Sequence, residues 1–322
     1  MNEHIQAWLD PSPVVEIFTS PAFLYFAAGL VLVLLAKPVK GLTTRYHLSE
    51  ELTKHDNKAV GVATAGYLFA VLTIIRGVMI SGGNPYETLW RDLVAVAIWT
   101  VISLALLLAS AWINRNFLLN RFEVHKEMIT DRNVGTGAVL AGTYIGTAFI
   151  ISASISGSTG GGFAVDLLDT LVYFAIGQLG FILLGAIYQR TCGYNVHDEI
   201  ERDNEGAGIA FGATLIALAI LISGQIRRGD SLVALAVWIP VALLVLLGSR
   251  WLVDLVILPD ARLHDEIARD RNWGVALIEG AAAIGIALTS SEKRGRAKAG
   301  LILNAIVIVV AAIRLSIGSG II

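Results

Sequence analysis

Four asparagines that share one local setting are the residues best placed to do chemistry in this 322-residue chain. Asn57, Asn133, Asn204 and Asn272 each follow an acidic residue, Asp56, Asp131, Asp203 and Asp270, by one or two places, and each opens a long apolar run. Gathered at one mouth of a helical bundle, such amides and carboxylates would favour a cation. Helix N-termini aimed at the same point would oppose that preference with partial positive charge. The competing chemistry is local. Asn and Asp are strong N-cap residues, and Asp-Arg-Asn-x-Gly at a helix start satisfies amides that lipid cannot. The sequence leaves both readings open.

The histidines form a second pattern, because His47, His125, His197 and His264 precede Glu50, Glu127, Glu199 and Glu266 by two or three places. A ring of imidazoles and carboxylates could bind a transition metal or sense pH. His125 with Glu127 and His264 with Glu266 are the clearest pairs, yet His-x-Glu alone is a weak metal signature. Cys192 has no second thiol beside it, which excludes an intramolecular disulfide and a Cys-based zinc site. No cofactor is implied. Two further charges fall inside apolar runs. Glu279 lies seven residues past Asn272, where the counterparts are Thr64, Leu140 and Phe211, and Arg314 lies in the last run. Ionisable groups in hydrocarbon are functional candidates. At ~1.5 Å per helical residue they sit at matching depths, roughly 7 and 9 Å from one face, which makes them an expected ion pair. No Ser-His-Asp order, phosphate loop or metalloprotease helix is present, so the chain is not expected to be an enzyme.

The elements that must position these groups are membrane helices. Hydrophobic residues make up 55% of the chain and charged ones 16%, with a mean hydropathy of +0.69; soluble domains carry roughly 25% charge. Apolar runs near spanning length fall at about 18–36, 59–80, 93–112, 135–155, 167–187, 206–224, 231–251, 274–290 and 300–320. The expected fold is therefore all-α and integral to the membrane, with about nine spans. A shift of 139 residues carries His125, Glu127, Asp131, Arg132, Asn133 and Gly135 onto His264, Glu266, Asp270, Arg271, Asn272 and Gly274. Looser copies surround Asn57 and Asn204, so the architecture is four repeats of an odd span, a polar patch and an even span. Even spans carry Gly66, Gly142, Gly212 and Gly280 in a smooth stripe and should lie inside the bundle, with the bulkier odd spans outside. The expected divisions are a short interfacial segment at 1–17, four-helix halves at 18–157 and 158–290 in parallel orientation, and a last helix at 291–322.

The segments leading into the even spans hold fifteen Lys and Arg against eight on the opposite side, which places the N-terminus outside and all four patches in the cytoplasm. A Glu, then Asn-x-[Ala/Gly]-x-[small] opening a span, then a serine near its far end (Ser152, Ser156, Ser223) resembles the small bacterial inner-membrane proteins of YjfL type, a family of unknown function. The usual member has four spans and two such motifs, so the chain resembles two members fused over roughly residues 18–290. It departs at Arg76, which stands where Ser152 and Ser223 stand in their copies. The resemblance implies membrane location and no activity. Two functions are carried forward. One is a small-solute or ion pathway between inner helices. The other is a scaffold or stress-response protein that recruits a cytoplasmic peripheral protein or anionic lipid. The bilayer is the one partner composition requires; a homo-oligomer is a further candidate, and nothing points to nucleic acid.

Overall fold

The structure, a computed structural model, describes residues 21–44, 46–81, 89–121, 123–157, 161–229 and 231–291. Arg314, the 1–17 segment and the run expected at 300–320 lie outside the described residues. All regular structure among the described residues is helical. Eight long helices, α1 (Pro21–Thr43), α3 (Lys58–Ser81), α4 (Leu89–Phe117), α6 (Val134–Ser154), α7 (Phe163–Thr191), α9 (Glu205–Arg228), α10 (Leu232–Val256) and α12 (Trp273–Ser291), are described, with a short helix inside each odd–even pair. The short helices are α2 (Leu48–Thr53), α5 (Val124–Ile129), α8 (Val196–Glu201) and α11 (Leu263–Ala268), one per polar patch. Among the described residues seven helices, α3, α4, α6, α7, α9, α10 and α12, are long and apolar enough to cross a membrane, against about nine expected of the whole chain. Of the other two expected spans, the first corresponds to α1, beside α3, and the ninth lies outside the described residues.

The four even helices pack in chain order, α3 on α6, α6 on α9 and α9 on α12, so they form a row. Three odd helices each seat against two neighbours in that row, α4 on α3 and α6, α7 on α6 and α9, α10 on α9 and α12, while α1 seats on α3 and α4. Glycine sets the spacing. Gly142 meets Gly212, Gly208 meets Gly135, and a Cβ on Gly137 would stand 2.5 Å from the Ala59 carbonyl oxygen. With backbone against backbone nothing can move aside, so dispersion contacts are dense and side chains are excluded. The inner helix α9 is accordingly the most enclosed of the four. At the end of the row α12 departs from the inner pattern, since Trp273, Leu277, Ile278 and Leu288 are exposed along it. The outer helices present bulky apolar side chains, such as Val101 and Trp112 on α4 and Leu179 and Leu183 on α7.

This packing makes Gly137→Leu and Gly208→Leu destabilising by at least ~1 to 3 kcal/mol, because overpacking here must push neighbouring backbones apart. Val94→Leu on the exposed side of α4 should stay within about 0.5 kcal/mol. Thermal unfolding in detergent measures both, and equal losses would refute the close-packed row.

Candidate functional site

Each patch builds the same device. A short helix is followed by a tight turn in which the asparagine amide N–H donates to the carbonyl of a glutamate in that helix: Asn57 to Glu51 at 3.0 Å, Asn133 to Glu127 at 2.9 Å, Asn204 to Glu199 at 3.0 Å and Asn272 to Glu266 at 2.9 Å. The residue before each asparagine is left-handed, with φ of 47° at Asp56, 52° at Arg132, 59° at Asp203 and 51° at Arg271. A side chain there adds strain of about 1 kcal/mol, which the surrounding hydrogen bonds hold in place. The asparagine Oδ1 then caps the long helix, accepting from Val60, Thr136, Ala207 and Val275 N–H at 3.1 to 3.2 Å.

The Nδ2 group does the rest. It donates to the glutamate carboxylate, at 2.9 Å for Glu51, Glu127 and Glu199 and 3.0 Å for Glu266. In the first three units it also reaches the next unit's short helix. Asn57 donates to the Met128 carbonyl at 2.9 Å, Asn133 to Ile200 at 2.5 Å and Asn204 to Ile267 at 2.8 Å. The asparagines are thus latches in series. The first three are each brought against the following unit, and the row sets the four side by side instead of around a common mouth. Nor do the aspartates line one. Asp56, Asp131, Asp203 and Asp270 are exposed and occupy two different positions of the turn. Lys126 holds Asp131 at 3.1 Å, and Arg269 holds Asp270 at 2.9 Å.

The carboxylate in the first unit is Glu51; Glu50, the expected equivalent, faces Lys54 at 2.8 Å. Spacing back from the asparagine identifies the right residue, whereas spacing forward from histidine does not. The same bond has different electrostatic consequences in different units. Asn57's amide holds the Glu51 carboxyl below its ordinary range, whereas burial pushes Glu127 up despite the amide of Asn133. The histidines paired with these glutamates in sequence have other neighbours. His125 lies 6.2 Å from the Tyr46 ring and His264 3.6 Å from Asp265, while Glu127 and Glu266 are committed to asparagines. Among the described residues no three His, Cys, Asp or Glu side chains gather at metal-binding distance.

His197 is buried, and burial, reinforced by the Arg121 charge and opposed by Asp198, holds its imidazole below the ordinary range. The unfolded value is ~6.5, so below that pH the folded state binds fewer protons than the unfolded one. Stability from this group is complete above about pH 6.5 and is lost as pH falls through the folded value. The thermal midpoint should decline as pH falls below about 6.5, and less steeply in His197→Gln. An unchanged slope would assign the decline to other groups.

Glu279 has a partner other than the one its sequence position suggests. Its carboxylate accepts from the guanidinium of Arg250 on α10 and from the hydroxyl of Tyr188 on α7. Arg250 also donates to the Tyr188 hydroxyl and, at 3.0 Å, to the Cys192 carbonyl at the end of α7. Tyr188 stacks on Phe211 of α9 at 6.1 Å, so four helices meet around one buried ion pair. The second Glu279 oxygen and the Tyr194 hydroxyl are buried without a hydrogen-bond partner among the described residues. Arg250 reads in sequence as one more charge of the basic segment that leads into the last even span. The available signal is its repeat counterpart: 139 residues back stands Ala111, just as Leu140 stands for Glu279, so the two charged departures coincide. Elsewhere Thr143 and Thr214 bond their own helices. Asn114 of α4, Gln178 of α7 and Thr147 of α6 bond one another, with Gln178 donating to Asn114 at 2.7 Å.

The sequence profile of the family described as Domain of Unknown Function (DUF350) matches residues 13–155 and again 162–292. A UPF0719 transmembrane protein of Aquifex aeolicus (strain VF5) is 22% identical over 179 residues, which cover 56% of this chain. The match spans 62% of that relative's own length. No solved structure matches.

Proposed function

The chain belongs to the DUF350 family, matched in two tandem copies, and from that premise we propose that it is a non-enzymatic membrane scaffold whose patch face recruits a peripheral protein. The narrower likeness to YjfL-type proteins, a bacterial inner-membrane location, nine spans and cytoplasmic patches belong to the same reading. The observation that carries it is the series of latches, which ties consecutive short helices into one platform. Such a platform holds surface charges at fixed spacings, which specific recruitment requires. Its sign changes along the row. Lys37, Lys54 and Lys58 are exposed in the first unit, and Asp198, Glu201, Asp203 and Glu205 in the third. A protein surface of complementary pattern fits this better than a uniformly anionic membrane does.

A solute or ion pathway between the inner helices is supported less, because glycine contacts close the seam between neighbours in the row. What favours a pathway is the Asn114, Thr147 and Gln178 cluster, buried in the apolar region between inner and outer helices. Reconstitution decides between them. Purified protein in potassium-loaded vesicles should leave potassium and proton flux at the protein-free level. Flux above that level, reduced by Gln178→Leu, would replace the scaffold with a pathway.

A further inference from the structure

We propose that an anionic phospholipid headgroup binds in the cleft between the ends of α4 and α7, held by Arg121 and Arg190. The proposal deepens the scaffold reading by naming a lipid the scaffold would carry, in a cleft that borders the platform at α8. The cleft measures about 600 Å³ and is lined by Arg121, Arg190, Asn120, Gln189 and His197, with no carboxylate in its wall. Several other cations of the chain are neutralised: Arg202 pairs with Glu199, Lys126 with Asp131, and Arg250 with Glu279. Arg121 and Arg190 enter no ion pair among the described residues, and the only bond Arg190 shows is to its own helix, at the Ala186 carbonyl. Two guanidinium groups, one on α7 and one in the turn after α4, around one polar hollow suit a phosphate, whose oxygens accept paired N–H donors.

The wall is fixed before any ligand arrives. Gln189 donates to the Leu118 carbonyl at 3.2 Å, tying α7 to the chain beyond α4, and Asn195 caps α8. Tyr194 lines the cleft with its hydroxyl buried, so its ring forms a section of a preformed wall. The choice of a lipid over a free phosphate rests on what borders the hollow. Phe117 and Ala186 form its apolar margin, and on α7 the exposed Leu179 and Leu183 continue from Arg190 toward the membrane interior. A headgroup between the arginines would leave its acyl chains along that stripe. Arginines at helix ends commonly snorkel to the interface; here they flank a hollow lined with polar groups and floored by apolar ones.

The test uses the full chain, delipidated in a neutral detergent, with the thermal midpoint followed as phosphatidylglycerol, phosphatidylcholine or inorganic phosphate is added. Phosphatidylglycerol should raise the midpoint by roughly 5 °C at saturation, with phosphatidylcholine and phosphate giving little. The shift should largely vanish in Arg121→Gln/Arg190→Gln and persist in Arg262→Gln. If the double glutamine variant does not fold, Arg121→Lys/Arg190→Lys replaces it and should lose most of the shift, since lysine cannot make the paired contact. Equal shifts with the two lipids, or equal loss in Arg262→Gln, would overturn the site. A shift reproduced by phosphate alone would overturn its assignment to lipid. Failure of the scaffold reading shows instead as vesicle flux, a separate measurement.

Discussion

Glu279→Leu alone is expected to destabilise the protein by about 3 to 5 kcal/mol, the range for stripping one partner from a buried ion pair. Arg250 would then remain between α7, α10 and α12 with the Tyr188 hydroxyl and the Cys192 carbonyl as acceptors but no countercharge. Arg250→Ala alone should be comparably harmful, since Glu279 would keep only Tyr188. The informative variant combines them. Glu279→Leu with Arg250→Ala installs the residues of the second unit, Leu140 and Ala111, at the matching places of the fourth. Replacing a buried pair by apolar residues is often neutral. The double variant should therefore recover much of the loss, leaving about 2 kcal/mol for the Cys192 carbonyl and the Tyr188 hydroxyl that lose their partners. Unfolding midpoints of the four proteins give the coupling energy. Additive losses would show that the two charges are stabilised independently. The pair then has no role in joining the helices.

The repeat is legible because it is written in residue types that lipid makes expensive to misplace. Asparagine at a helix start and glycine at a helix contact each answer a local demand, so the capping role and the close-packed stripe can be argued without coordinates. What one span does to another cannot. The Nδ2 bond from Asn133 to Ile200 joins residues 67 apart, and nothing in either local sequence announces it. The same holds for Glu279. Depth alone points to Arg314 on the following run, whereas the row places α10 beside α12 and so presents Arg250. Registering the patches on their aspartates also merges two positions. In the first and third units aspartate takes the left-handed residue, while in the second and fourth arginine takes it and the aspartate precedes it. A ring of equivalent carboxylates drawn from that register has no geometric counterpart.

If the asparagines join units in series, Asn204→Ala should be far more damaging than Asn272→Ala. Asn204 accepts from Ala207 N–H at 3.2 Å and donates to Glu199 at 2.9 Å and to the Ile267 carbonyl at 2.8 Å. Losing the cap removes about 1 kcal/mol, and leaving the buried Ile267 carbonyl without its donor, with Glu199 held by Arg202 alone, adds about 2 to 3. Asn272 makes the cap and the Glu266 bond but joins no later unit among the described residues, and it is partly exposed. Its loss should stay near 1 to 2 kcal/mol. Asn204→Asp keeps the capping oxygen yet sets a carboxylate against Glu199, so at neutral pH it should be at least as harmful as alanine. Adding Glu199→Gln exchanges donor and acceptor, restoring the bond within the unit while the Ile267 carbonyl still lacks its partner. Stability should return only partially, and the deficit that remains, about 1 kcal/mol or more, measures the tie between the third and fourth units. Full recovery in Asn204→Asp/Glu199→Gln would mean that the amide serves its own patch alone. The platform would then have no bonded reason to move as one body, and the scaffold reading would lose its structural basis.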